Sequence, residues 1–203
     1  MSTFDSRRYW DERYRNGGNS GEGSYNLLAQ FKADVINEFI RDRAITSVVD
    51  YGVGDGNQAQ MINTTNISYV GIDISPTAIL KCRKIFAEDP TKRFLLDTQI
   101  DDLSVDLVLS CDVLYHLIED KVYEAYVQKL FDLSRKYVII YAADQDLNHA
   151  VHVKFRKFTL YIERYLPDWR LISHIPNRYP QTHPGRDNST TSPSDFYIYE
   201  KQT

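Results

Sequence analysis

The chain has 203 residues, enough for one domain with a substantial core. Its 42% hydrophobic and 26% charged residues are ordinary for a folded globular protein and exclude a disordered one. A formal charge of -4 excludes a global positive field for wrapping nucleic acid, two cysteines are too few for a disulfide framework, and no apolar run is long enough to span a bilayer.

Residues 1–25 are rich in aromatics, charge and glycine. Met1 to Arg8 lacks the apolar core of a signal peptide, so a cytoplasmic location is expected. Arg7, Arg8, Tyr9, Trp10, Arg13, Tyr14 and Arg15 interleave cations with aromatic rings. Trp10 and Tyr14 lie one helical turn apart and should face inward together. We read residues 1–25 as a lid segment, with Gly17, Gly18, Gly21 and Gly23 as its hinge, and residues 26–203 as one domain.

A helix is predicted where Leu27, Leu28, Phe31, Val35, Ile36, Phe39 and Ile40 form one apolar stripe. Strands and helices then alternate. Ser47 to Tyr51 and Ser68 to Asp73 read as buried strands. Ser75 and Pro76 signal a helix start, and Ala78, Ile79, Cys82, Ile85 and Phe86 give that helix its apolar face. Arg93 to Leu96 and Val105 to Ser110 read as the third and fourth strands, with room for a single turn between them. A helix follows near 119–133, then a fifth strand at Tyr137 to Tyr141. The spacing of Val151, Phe155, Phe158, Ile162 and Tyr165 predicts a helix over about 150–166. Trp169 to Ile175 and Phe196 to Tyr199 close the chain as an antiparallel pair, since no helix separates them. The pattern is that of an α/β, doubly wound, seven-stranded, mostly parallel sheet with an antiparallel last strand and helices on both faces.

Chemistry concentrates where strands end. Asp50-Tyr51-Gly52-Val53-Gly54-Asp55-Gly56 follows the first strand, at the position where doubly wound sheets bind ligands. Its G-x-G-x-G spacing differs from the dinucleotide pattern G-x-G-x-x-G and from the P-loop. Asp73 ends the second strand, where a carboxylate accepts ribose hydroxyls, and Asp97 ends the third, with Asp101 and Asp102 as neighbouring alternatives.

These marks in order resemble the class I S-adenosylmethionine-dependent methyltransferases over about residues 26–200. The acid and glycines match at Asp50, Gly52, Gly54 and Gly56, the ribose acid at Asp73 with Ile74 after it, and the adenine-edge acid at Asp97 followed by Thr98. The fourth-strand motif matches from Asp106 through Cys111, Asp112 and Tyr115 to His116. The N-terminal stretch is similar to a subgroup of small bacterial methyltransferases acting on glycans or secondary metabolites. The resemblance implies S-adenosylmethionine as cofactor and S-adenosylhomocysteine as product. Three carboxylates with no lysine nearby in the sequence suit a sulfonium cation and repel a dinucleotide's phosphates.

Tyr9, Trp10 and Tyr14 are expected to fold over the sulfonium side, and Cys111 to contact the cofactor through its backbone. His116 is the candidate general base, with Asp112 and Tyr115 beside it to orient substrate. Lys154, Arg156 and His149 are candidate contacts for an anionic group on a small-molecule or glycan acceptor, as are Arg178 and Arg186 in the last loop. No metal site, nucleic acid or membrane partner is expected. The alternatives are a nucleotide-cofactor oxidoreductase and a catalytically silent partner protein of the same fold.

Overall fold

The computed structural model describes residues 4–150, 152–181 and 189–202, with the side chains of residues 148–150 outside that description. In chain order the elements are α1 (Ser6–Arg15), α2 (Asn26–Asp42), β1 (Ser47–Tyr51), α3 (Asn57–Met61), β2 (Ser68–Asp73), α4 (Pro76–Ile85), β3 (Lys92–Leu96), β4 (Val105–Cys111), α5 (Asp120–Asp132), β5 (Ser134–Ala142), β6 (Leu147–Ala150), β7 (Val153–Phe155), α6 (Phe158–Tyr165), β8 (Trp169–Ile175) and β9 (Asp195–Lys201).

Seven strands form one sheet in the order β3-β2-β1-β4-β5-β9-β8. β1 to β5 pair in parallel, and β9 runs antiparallel to both its neighbours. Alternating side chains on each strand feed two apolar layers. Val49, Val70, Val108 and Val138 pack with Val127 and Leu130 of α5 and Ile162 of α6. Val48, Tyr69, Leu107 and Ile139 pack with Ile36 of α2, Ala59 of α3 and Ile79 of α4 on the opposite face. Both faces are covered, which is why the central strands are apolar throughout.

The strand order reverses between β1 and β4, opening a crevice at their carboxyl ends. Ser75 begins α4 as expected, its hydroxyl accepting the Ala78 N–H at 3.2 Å. No helix among the described residues is long and apolar enough to cross a membrane.

One predicted element is wrong. Residues 147–155 form an antiparallel hairpin, with Leu147 opposite Phe155, and only Phe158–Tyr165 is helical. Phe158 and Ile162 carry the helical stripe, whereas Phe155 is buried from a strand. A three-and-four spacing running across a strand and a helix mimicked one long helix. Lys154 and Arg156 therefore belong to the hairpin region and not to a helix.

Candidate active site

A cavity opens at the carboxyl ends of β1, β2 and β4. Its floor is the loop after β1. Gly52 and Gly54 hold φ of 99° and 60°, left-handed backbone that favours glycine. A Cβ on Gly52 would meet Val113 Cγ2 at 2.3 Å, and one on Gly54 would meet Ser20 Oγ at 2.3 Å. Gly56, at φ 85°, begins α3 and faces Cys82 and Phe86 instead of the cavity.

Two buried carboxylates line this floor. Asp50 accepts from Tyr69 Oη at 2.7 Å. Asp73 accepts the Gly54 N–H at 2.9 Å and the Ser75 N–H at 2.8 Å, so it also braces the glycine loop. Burial pushes both up to about 6, against the hydrogen bonds that favour their charged forms.

The sequence reading missed the cavity's cation. Lys32 of α2 is 1% exposed and places Nζ 2.5 Å from Asp112 Oδ2, over the ring of Tyr141. Tyr115 Oη donates to the other oxygen of Asp112 at 2.7 Å. Asp112 itself sits at φ 60°, an uncommon backbone state for a non-glycine residue, directly after β4. The expectation of an acid-only pocket is thereby corrected. A signal existed: Leu28, Lys32 and Ile36 lie four apart, which puts the lysine in the middle of the apolar stripe.

Helix α1 forms the roof. Trp10 and Tyr14 line the cavity from above, and Tyr14 Oη bonds Ser20 Oγ at 3.1 Å. Polar contacts hold the helix in place. Ser6 donates from N and Oγ to Glu119 at 3.0 and 2.6 Å. Asp11 accepts from Ser75 Oγ and the Thr77 N–H at the first turn of α4. Arg7 donates to the Ile74 carbonyl at 3.0 Å and to Asp97 Oδ2 at 2.5 Å.

His116 lies on the short turn after β4 and lines the cavity. Its Nδ1 is 3.0 Å from the carbonyl of His152, in the hairpin turn. A carbonyl only accepts, so Nδ1 carries the proton and Nε2 keeps its lone pair. Trp10 meets the imidazole edge-on at 4.8 Å, and Tyr9 stacks on His152. Burial lowers His116 to about 4.

Of the predicted residues, the cavity lining gathers Asp50, Gly52, Gly54, Asp73, Ile74, Cys111, Asp112, His116, Trp10 and Tyr14. Tyr9, Gly56, Asp97, Thr98 and Tyr115 stand behind or beside it, and Thr98 is exposed. Cys111 is free, and burial pushes its thiol up, which leaves it unsuited to act as a nucleophile.

The anion contacts need correction. Lys154 Nζ and Arg156 Nη2 lie 2.6 and 2.7 Å from Asp120, and Arg156 also donates to the carbonyls of Leu117 and Ile118. These bonds pin the hairpin to the start of α5 and leave neither cation lining the cavity. Arg178 lies over the ring of Phe31. The side chain of His149, and all of Arg186, fall outside the described residues.

Residues 49–136 match the family model of a methyltransferase domain, a stretch that runs from the glycine loop past His116. Solved structures share the fold over nearly the whole chain. The N-methyltransferase NodS from Bradyrhizobium japonicum WM9, in complex with S-adenosylhomocysteine, is 11% identical with a TM-score of 0.76, covering 98% of this chain and 100% of that one. Magnesium protoporphyrin IX methyltransferase from Synechocystis PCC 6803, with bound S-adenosylmethionine, is 15% identical with a TM-score of 0.67 over 100% of both chains. The small RNA methyltransferase HEN1 is 14% identical with a TM-score of 0.65, covering 89% of this chain and 26% of that one. No curated protein matches the sequence.

Proposed function

We propose that the chain is a class I S-adenosylmethionine-dependent methyltransferase, a reading supported by the match of residues 49–136 to a methyltransferase-domain model, and that it methylates a hydroxyl group on a small-molecule or sugar acceptor. Bound S-adenosylmethionine supplies an electrophilic methyl group on a sulfonium that departs as a neutral thioether. Two observations support the fit of the residues to this cofactor. Asp97 Oδ1 is buried without a hydrogen-bond partner, an acceptor still open to an exocyclic amine. Gly52 and Gly54 bring bare main chain, in left-handed conformation, to the cavity lining, where a ligand can approach the backbone.

In this reading Asp73 holds the ribose, Asp97 with Thr98 borders the adenine, and the main chain around Gly52, Gly54 and Cys111 meets the remainder. Trp10 and Tyr14 offer ring faces to the cationic centre, and residues 1–25 act as the lid that excludes water. Positioning of acceptor against methyl accounts for the largest share of rate, about 7–11 kcal/mol of barrier.

His116 is the base. The observation that carries this is the pinned imidazole: Nδ1 is committed to the His152 carbonyl, so the lone pair of Nε2 remains for the acceptor's proton. Held at about 4, the ring is neutral throughout the neutral pH range. A weak base suffices, because an attacking hydroxyl becomes strongly acidic as its oxygen gains the methyl. The net charge of -4 favours such acceptors over nucleic acid.

The test is release of S-adenosylhomocysteine across a panel of hydroxylated small molecules. With the acceptor found, His116→Ala should lower kcat by about 10²–10⁴-fold while leaving cofactor affinity unchanged. Wild-type turnover in that variant removes the base assignment. RNA binding that weakens steeply with salt would remove the small-molecule reading.

A further inference from the structure

The cavity lining holds four carboxylates, Asp50, Asp55, Asp73 and Asp112, and among its described residues Lys32 is the only lysine or arginine. A lysine that is 1% exposed is a costly feature unless its charge is compensated. Asp112 is its hydrogen-bond acceptor among the described residues, which leaves two ammonium N–H bonds without one.

We propose that Lys32 and Asp112 form a zwitterion-reading subsite for the amino-acid end of the cofactor, Lys32 taking the α-carboxylate and Asp112 the α-ammonium. This rests on the S-adenosylmethionine reading above. The sheet order supplies the direction. β2, β1 and β4 are consecutive neighbours, so Asp73 stands at one side of the glycine loop and Asp112 at the other. With the nucleoside anchored at the β2 side, the amino-acid end lies toward β4, where the buried ion pair waits. That end is the cofactor's one anionic group, and it carries an ammonium on the adjacent carbon. Each charge of the ion pair then gains a partner of opposite sign, and neither is left uncompensated. Tyr115 positions Asp112 through its second oxygen.

Calorimetry on the full chain tests this with four ligands: S-adenosylmethionine, S-adenosylhomocysteine, 5′-methylthioadenosine, which has no amino-acid end, and decarboxylated S-adenosylmethionine. Lys32→Met should weaken S-adenosylhomocysteine by about 10–100-fold, the worth of a charge-assisted hydrogen bond, and leave 5′-methylthioadenosine within about twofold. Wild-type protein should discriminate against the decarboxylated cofactor, relative to S-adenosylmethionine, by a similar factor, a measurement that stands even where the variant does not fold. Equal losses for both ligands in Lys32→Met, or no loss for either, overturns the subsite. So does an unchanged cofactor affinity with a raised KM for the acceptor, which would assign the cation to the acceptor's own anion. Folded wild-type protein that binds none of the four ligands overturns the cofactor reading itself, and the subsite with it.

Discussion

The floor and the roof of the cavity are built on opposite principles. The floor is main chain and buried carboxylate, set by strands that cannot move without breaking the sheet. The roof is one ten-residue helix whose buried residues are Ser6, Asp11 and Tyr14, two of them polar. Hydrogen bonds to Glu119, Ser75, Ile74 and Asp97 fix it, and water can replace each of them. A surface held by polar contacts opens at lower cost than one held by apolar burial. The difference sets a floor fixed by the sheet against a roof that opens at lower cost, and the expected effects below follow that order.

Gly54 is where the two meet, and its substitution is the largest perturbation. Gly54→Ala places a Cβ against Ser20 and Tyr14 at a φ of 60°. The left-handed conformation alone costs an alanine about 1–2 kcal/mol, and roof and floor are forced apart as well. We expect cofactor affinity to fall on the order of 100-fold by calorimetry, equivalent to nearly 3 kcal/mol. A variant that binds normally would show that the roof does not rest on this loop.

The electrostatics of the floor give the next effect. Asp50 and Asp73, both held at about 6 by burial, are charged above that pH and neutral below it. The sulfonium cation gains from the charged forms, and the neutral thioether product does not. The ratio of S-adenosylmethionine to S-adenosylhomocysteine affinity should therefore fall several-fold from pH 7.5 to pH 5. A ratio independent of pH would place the sulfonium away from these acids.

The smallest effect belongs to the roof. Asp11→Ala removes the contact with the start of α4 but touches nothing on the floor. Release of S-adenosylhomocysteine should quicken about threefold to tenfold, with little change in the folded stability of the sheet. Hydrogen exchange should show the amides of α1 opening faster than those of β1 and β4. Uniform protection across both regions would erase the distinction.

How much of this was legible in the sequence follows the same division. The strand tips were readable because β-branched runs end in glycines and acids, so Asp50, Gly52, Gly54 and Asp73 could be placed before any coordinates. Lys32 was not read, although it falls within the apolar stripe of α2, because nothing local names its partner: Asp112 is 80 residues away. Lys154 and Arg156 were misread for the same reason: Asp120, which neutralises them, is distant in sequence. Spacing reports on local periodicity and is silent about which charges a fold brings together.

The carbonyl of His152 has a further consequence. The group that orients the imidazole of His116 belongs to the peptide backbone, and every amino acid at position 152 would present the same oxygen. Alanine scanning of the hairpin would thus pass over it in silence. Only a change in the length of the turn, by inserting or deleting a residue, would swing that oxygen away and let the ring exchange its two tautomers.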